Sequence, residues 1–119
     1  MKKSKTQLHV VYAADSEWSD HPRFAGIKMK PLLTPADNAL ANVNLVHVPS
    51  GSAVGHHVHA AEVETVYLLS GQAILTIGDN EALMTAGCIV AIPSGAEHTL
   101  RNVGSESVEL IAFFTPPIL

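Results

Sequence analysis

Three histidines and one glutamate in the middle of the chain are the residues that could hold a metal ion. His57 and His59 are separated by one residue. Because side chains alternate between the two faces of a strand, both would point the same way, roughly 7 Å apart at their Cα atoms, and Val58 would face away. Two imidazoles at this spacing can reach one ion.

Glu64 and His98 are the candidates for the remaining ligands. Glu64 lies five positions after His59, an odd offset that strict alternation would place on the opposite face. We therefore expect a turn or a bulge within residues 60–63, which would bring the carboxylate to the side of the histidines. His98 would come from a later strand.

The spacing around these residues resembles the paired motifs of the cupin superfamily. The motifs read Gly51-x5-His57-x-His59-x4-Glu64-x6-Gly71 and Gly87-x5-Pro93-x-Gly95-x2-His98-x3-Asn102. Every fixed position of both motifs is present within residues 51–102. The resemblance implies a small single-domain cupin, with the metal ligands His57, His59, Glu64 and His98.

The resemblance also implies one divalent transition metal ion per chain. Three imidazoles and one carboxylate suit Fe(II), Mn(II), Ni(II) or Co(II) and tolerate Zn(II) or Cu(II), and the order of affinities does not choose among them. Four protein ligands leave up to two positions on a six-coordinate ion for water, dioxygen or a bidentate substrate.

Three further polar residues are alternatives near the motifs. His56 has the opposite parity to His57 and is expected to face outward or toward the mouth of the barrel. Glu62 could replace Glu64, but the motif count selects Glu64. His47 could reach the pocket, although a surface or packed position is simpler. No catalytic residue is identified from the sequence.

Short apolar and β-branched runs separated by turn residues predict an all-β chain. The predicted strands span residues 27–33, 41–48, 65–70, 72–77, 82–85, 88–92, 98–102 and 107–114. No helix is predicted, although Thr34–Asn38 could hold one short turn with Thr34 as its cap. Strands of this number and spacing fit a small antiparallel jelly-roll barrel, an architecture that includes cupins.

Alternation also assigns faces to the strands. After Glu64, Val66 and Leu68 are expected inside the barrel, and Tyr67 and Leu69 outside.

Residues 27–119 are predicted to form the barrel domain, and residues 1–26 an N-terminal segment that could pair with another subunit. The apolar residues 8–14 follow a basic start, as in a secretory signal, but they are short and interrupted, so we interpret them as a terminus and first strand. Lys28 and Lys30 share one face of the next strand and are expected to be solvated.

Length and composition fit one globular domain, with 119 residues, 47% hydrophobic and 15% charged. The net charge of −4 and only seven Lys and Arg argue against nucleic-acid binding. No glycine-rich loop followed by Lys is present to hold a phosphate, and no apolar run approaches the roughly 20 residues that span a bilayer. The single cysteine, Cys88, fits a reducing compartment, and we expect a cytoplasmic protein.

Three classes of function follow for such a chain, each with a small-molecule partner. The first is a dioxygenase-type metalloenzyme, since small cupins resemble dioxygenases that act on flavonols, diketones or phenols. The second is a non-redox isomerase or lyase that acts on a small acid or sugar. The third is a cupin that binds a small ligand without turnover. The resemblance further implies a homodimer.

Overall fold

The structure is a computed structural model that describes residues 8–118. These residues form one short 3-10 helix and ten strands, and no α-helix. The elements are the 3-10 helix (Ala13–Asp15) and the strands β1 (Ser19–Asp20), β2 (Lys28–Leu33), β3 (Asn42–Val48), β4 (Ala53–His57), β5 (Val63–Ser70), β6 (Gln72–Ile77), β7 (Asn80–Thr85), β8 (Ile89–Ile92), β9 (His98–Asn102) and β10 (Val108–Thr115).

The strands form two sheets. One sheet has six strands in the order β1-β2-β3-β10-β5-β8, and the other has four in the order β4-β9-β6-β7. Every pair of neighbouring strands is antiparallel. The predicted all-β antiparallel jelly roll is confirmed.

The core lies between the sheets, where the inner residues of each strand meet. Along β5, Val66 and Leu68 are buried while Tyr67 and Leu69 are exposed, as alternation predicted. Full burial of an aliphatic side chain of this size contributes about 1.5–3 kcal/mol. The other sides of the core are filled by Ile27, Val48, Leu75, Val108 and Leu110.

The turn between β5 and β6 carries the chain from one sheet to the other. Gly71 has a φ of +86° in this turn. A Cβ atom at this position would lie 2.6 Å from the carbonyl oxygen of Ser107, closer than van der Waals contact allows. Only glycine fits both the backbone angle and this close approach.

The eight predicted strands are present, with ends shifted by at most two residues. Two strands were not predicted, β1 and β4. The prediction of a first strand over residues 8–14 is wrong, because residues 8–12 have no regular structure and Ala13–Asp15 forms the 3-10 helix. Residues 8–12 are exposed, and none of them takes part in a backbone ladder with the described strands.

Lys30 contacts the N-terminal segment through its side chain, in addition to the pairing of β1 with β2. Its Nζ donates a 2.7 Å hydrogen bond to the carbonyl oxygen of Ala13 and lies 4.7 Å from the centroid of the Trp18 ring. Only 7% of Lys30 is exposed. The expectation that both lysines are solvated is therefore wrong for Lys30, and it holds for Lys28, which is exposed beside Asp20.

The segment Thr34–Asn38 forms a turn and no helix. The backbone N–H groups of Asp37 and Asn38 both donate to the carbonyl oxygen of Thr34. The carboxylate of Asp37 accepts hydrogen bonds from the N–H and the hydroxyl of Thr34. The side-chain acceptor in this turn is thus the carboxylate of Asp37 rather than the hydroxyl of Thr34.

Candidate metal centre

The four predicted ligand residues meet in one cluster. One potential ligand atom from each of His57, His59, Glu64 and His98 lies within 4.8 Å of the other three. His98 is 3% exposed, and the other three side chains are partly buried. The cluster is therefore sheltered from solvent but open on one side.

Both sheets contribute to the cluster. His57 ends β4 and lies opposite His98 of β9 in the four-stranded sheet. Glu64 lies on β5 in the six-stranded sheet, between Phe114 of β10 and Ile92 of β8. The cluster bridges the two sheets at one end of the barrel.

His59 lies just outside the strands. β4 ends at His57, and the chain bends at residues 60–61 before β5 begins at Val63. This bend returns Glu64 to the side of the histidines, so the expected interruption within residues 60–63 is confirmed. The exposed Val58 faces away, also as expected.

Backbone carbonyl groups orient two of the imidazoles. The Nδ1–H of His57 donates to the carbonyl oxygen of Gly55 at 2.7 Å, and that of His98 donates to Ala96 at 3.0 Å. In the neutral rings the lone pair is then on Nε2. This is the usual arrangement of a metal-binding histidine, whose other ring nitrogen donates to a fixed acceptor.

The atoms that face each other in the cluster lack a complete set of partners. Glu64 Oε1 lies 3.2 Å from His59 Nε2 and 3.2 Å from His98 Nε2. An imidazole lone pair and a carboxylate at this distance need a proton or a cation between them. The buried Nε2 of His59 has no hydrogen-bond partner of good geometry among the described residues. Three nitrogens and one carboxylate oxygen suit a divalent transition metal ion.

The protonation of the cluster follows from its contacts. Burial acts to raise the pKa of Glu64, but the contacts with His59 and His98 outweigh it and lower the pKa to about 2. Burial acts to lower the pKa of His98, but its hydrogen bonds to Glu64 and Ala96 raise it above the ordinary value. Burial lowers the pKa of His57, against the effect of its hydrogen bond to a carbonyl group. The carboxylate is thus charged at neutral pH, as a ligand must be.

A cavity of about 300 Å³ opens beside the cluster. Most of its wall is apolar and comes from Phe24, Met29, Val46, Val54, Val66, Leu75, Ile92, Leu100, Leu110, Ala112 and Phe114. Outside the cluster, its polar side chains are His21, Arg23 and Asn44. The cavity can therefore hold a small molecule with an apolar body, next to the cluster.

His21 is a lining residue that the sequence analysis missed. Its Nδ1 accepts hydrogen bonds from the backbone N–H groups of Arg23 and Phe24, at 3.0 and 3.3 Å. The neutral ring therefore carries its proton on Nε2. Burial and the nearby Arg23 lower the pKa of His21. Nothing in the spacing of residues 21–24 indicated a site, because these residues form no strand.

The three alternative residues lie outside the cluster. His56 is exposed, with its Nδ1 3.4 Å from a carboxylate oxygen of Glu97. His47 lies 3.2 Å from Glu109, and Glu62 does not reach the other ligand atoms. His56 faces outward, one of the two orientations expected for it, and His47 has the surface or packed position expected for it, outside the cavity wall.

Asn102, the last residue of the second motif, supports the turns rather than the cluster. Its Nδ2 donates to the carbonyl oxygens of Val48 and Glu106, at 3.0 and 2.8 Å. Its Oδ1 accepts from the N–H of Gly104 at 2.9 Å. Asn102 thus braces the loop after β9 through its side-chain amide.

Comparison with known proteins identifies relatives of the same fold. The sequence model of the cupin domain family matches residues 44–114, more than half of the chain. The oxalate-binding protein of Thermotoga maritima is 32% identical over 65 residues, which are 55% of this chain and 54% of that protein. The chain thus matches only about half the length of this relative.

Solved structures extend the similarity over most of the chain. A protein from Thermotoga maritima, described as a predicted oxalate decarboxylase, superposes with a TM-score of 0.82 and 25% identity, over 90% of this chain and 98% of that one. The polyketide cyclase RemF from Streptomyces resistomycificus superposes with a TM-score of 0.80 and 16% identity, over 92% of this chain and 80% of that one. At the lower identity the likeness shows the fold alone. Within residues 8–118, no helix has the length and apolar character to cross a membrane.

Proposed function

We propose that this chain, which belongs to the cupin domain family, is a mononuclear metal-dependent enzyme that acts on a small organic substrate. The reaction we favour is of the dioxygenase type, in which dioxygen oxidises the substrate and supplies the oxygen atoms that are incorporated. The observation that carries the proposal is the cluster of three imidazoles and one carboxylate at the end of a largely apolar cavity.

The ligands in this proposal are His57, His59, Glu64 and His98. A divalent ion held by them would supply a Lewis acid with up to two free coordination positions. The unpartnered Nε2 of His59 and the fixed Nδ1–H groups of His57 and His98 support this assignment. The identity of the ion, among Fe, Mn, Ni, Co, Zn and Cu, is to be found by measurement.

The cavity supports a substrate of limited size and polarity. A volume of about 300 Å³ is at the lower end of typical small-molecule pockets. Its apolar wall favours flavonols, catechols or diketones over a sugar, whose hydroxyl groups would lack partners there.

Metal analysis followed by oxygen uptake tests the proposal. Protein purified without a His tag or chelator is analysed for metal, and the protein loaded with iron, nickel or the metal found is assayed with flavonols, catechols and diketones. We expect oxygen uptake that depends on one of these substrates and is absent in His59→Ala. Failure of all the metals to bind tightly would exclude this class of enzyme.

The second candidate is a non-redox isomerase or lyase that acts on a small acid. The positions of His21 and Arg23 favour it, because a proton donor and a cationic side chain both line the cavity. Turnover of a small acid in the absence of oxygen, with loss of rate in His21→Phe, would support this candidate over the first.

The third candidate is a small-ligand-binding cupin without turnover. The similarity of this chain to a protein of Thermotoga maritima that is described as oxalate-binding favours this candidate. Calorimetry with oxalate, on the metal-loaded protein and on Arg23→Gln, would test it. Tight binding without consumption of the ligand is the expected result for this class.

We further propose a cytoplasmic homodimer. The outer face of the six-stranded sheet exposes Tyr67, Leu69 and Ile89, and Tyr67 is paired with Ile89 across β5 and β8. Adjacent apolar side chains on one sheet face favour a contact with a second copy. Light scattering after size-exclusion chromatography, on wild type and Ile89→Glu, would measure the oligomeric state.

A further inference from the structure

Asn44 is a buried polar residue in the wall of the cavity. Its side chain lies on the inner face of β3, and only 4% of the residue is exposed. Its Oδ1 has no hydrogen-bond partner among the described residues. A buried amide oxygen needs a hydrogen-bond donor, since leaving it without one costs about 1–3 kcal/mol. At this position the donor can come only from what fills the cavity, either water or a ligand group.

The register places Asn44 two strands away from Glu64, on the same wall of the cavity. Asn44 pairs with Ala112 of β10, and Ala112 pairs with Val66 of β5, two residues after Glu64. Strand spacing and rise put Asn44 and Glu64 roughly 12 Å apart at their Cα atoms. Ala112 beside Asn44 and Phe114 beside Glu64 are the residues of the strand between them, and Asn44 and Glu64 both line the same cavity.

We infer that Asn44 is a substrate-binding residue that accepts a hydrogen bond from a hydroxyl group at the end of the substrate far from the metal. An amide oxygen without a partner needs a donor, so a carboxylate, which only accepts, does not satisfy it. Val46, Val66 and Ala112 surround this part of the cavity. The substrate class is therefore a molecule with an apolar body and one distal hydroxyl.

This inference rests on the proposed function, because the other end of the substrate is assigned to the metal. A binding role and a structural role of Asn44 predict different effects of its replacement on stability. Leu has nearly the shape of Asn and no polar atom, so the Asn44→Leu variant removes the unpartnered oxygen without leaving a cavity. A residue kept for binding should not stabilise the empty fold.

Asn42 is the matched control, on the same face of β3. It is fully buried, lies outside the cavity wall, and its Oδ1 accepts a 2.7 Å hydrogen bond from the backbone N–H of Ile118. Its Nδ2 has no partner within residues 8–118, but the loss of the oxygen would leave a backbone donor unpaired. We expect Asn42→Leu to destabilise the fold.

The first arm of the experiment is thermal unfolding without metal. We expect the Tm of Asn44→Leu to equal or exceed that of wild type, and the Tm of Asn42→Leu to fall by roughly 4 °C or more. A fall in Asn44→Leu as large as in the control would overturn the inference, because it would give Asn44 a structural role.

The second arm is calorimetry on zinc-loaded protein, since zinc does not oxidise the probes. The probes are 4-methylcatechol and 4-(hydroxymethyl)catechol, which share the two adjacent oxygens and differ in one distal hydroxyl. We expect wild type and Asn42→Leu to bind the hydroxymethyl compound about fivefold more tightly. Asn44→Leu should lose this preference.

The outcomes distinguish a wrong role for Asn44 from a wrong proposed function. If wild type binds both catechols equally, or if Asn44→Leu keeps the preference, the inference about Asn44 is wrong while a metal-dependent function stands. If neither catechol binds to the zinc-loaded wild type, the proposed function fails for this substrate class. The unfolding arm still decides in that case whether Asn44 stabilises the fold.

Discussion

The backbone N–H of Gly95 donates a 2.8 Å hydrogen bond to the carbonyl oxygen of His59. This contact joins the segment just before the bend of the first motif to the turn that precedes His98. The two motifs are therefore held together by backbone atoms, in addition to any ion. It follows that the ligand set is preformed and that the loss of one imidazole should leave the barrel folded.

Replacement of His59 by Ala tests this independence. We expect His59→Ala to bind divalent metal at least about a hundredfold more weakly, because one of four ligands is lost. The circular dichroism spectrum should remain that of a β-sheet protein. Competition with a chromophoric chelator measures the affinity.

His56→Ala is the matched control for this change, since it removes a neighbouring but exposed imidazole. Its metal affinity should equal that of wild type. Unfolding of His59→Ala, but not of His56→Ala, would contradict a preformed site and would make the ion structural.

Glu64 should make the metal-free protein sensitive to acid. A carboxyl group with a lower pKa in the folded than in the unfolded state stabilises the fold above its unfolded pKa, and this stabilisation is lost as the pH falls through the folded value. For Glu64 the window runs from the ordinary 4.5 to about 2. The free energy of unfolding should fall by an amount on the order of a few kcal/mol across this window.

Urea unfolding of metal-free protein between these pH values measures the effect. The difference in stability between wild type and Glu64→Gln should shrink as the pH falls through the window. Glu62→Gln, a change outside the cluster, should follow wild type. A constant difference between wild type and Glu64→Gln would contradict the assigned contacts.

The convergence of His57, His59 and Glu64 could be predicted because it depends on local spacing, whereas His98 was assigned through the resemblance to the second cupin motif. His57 and His59 lie two residues apart, and the odd offset to Glu64 required the bend that the structure contains. β4 itself was not predicted, because Gly55 and the adjacent histidines lack the β-branched pattern of a strand. Its register with β9 is also irregular there.

The cavity wall could not be predicted in the same way. Alternation puts Asn42, Asn44 and Val46 on one face of β3, but it does not tell which face is inside. One face of β3 carries two asparagines followed by two valines, and the other carries Val43, Leu45 and His47, so neither face is uniformly apolar. His21 reaches the cavity through a tertiary contact of the N-terminal segment, which has no periodic pattern.

Gly71 should be essential to the crossing between the sheets. Gly71→Ala would combine a left-handed backbone angle with a Cβ atom 2.6 Å from the Ser107 oxygen, and we expect a loss of at least about 2 kcal/mol in the free energy of unfolding. Gly87→Ala is the control, because Gly87 has a φ of +91° and no atom within 4 Å of the added Cβ. It should cost about 1 kcal/mol. Equal losses in urea unfolding would show that the Ser107 contact is relieved without cost.

Lys30 should hold the part of the N-terminal segment around Ala13 and Trp18 on the barrel. Lys30→Met keeps the unbranched apolar part of the side chain but removes the hydrogen bond to Ala13 and the cation over the Trp18 ring. These two contacts together contribute about 1–3 kcal/mol. Because Trp18 is the single tryptophan of the chain, its fluorescence reports on this segment alone, and we expect a shift to longer wavelength with the barrel still folded. Lys28→Met, which changes an exposed lysine, should leave the emission unchanged. An unshifted spectrum in Lys30→Met would show that other contacts hold the segment in place.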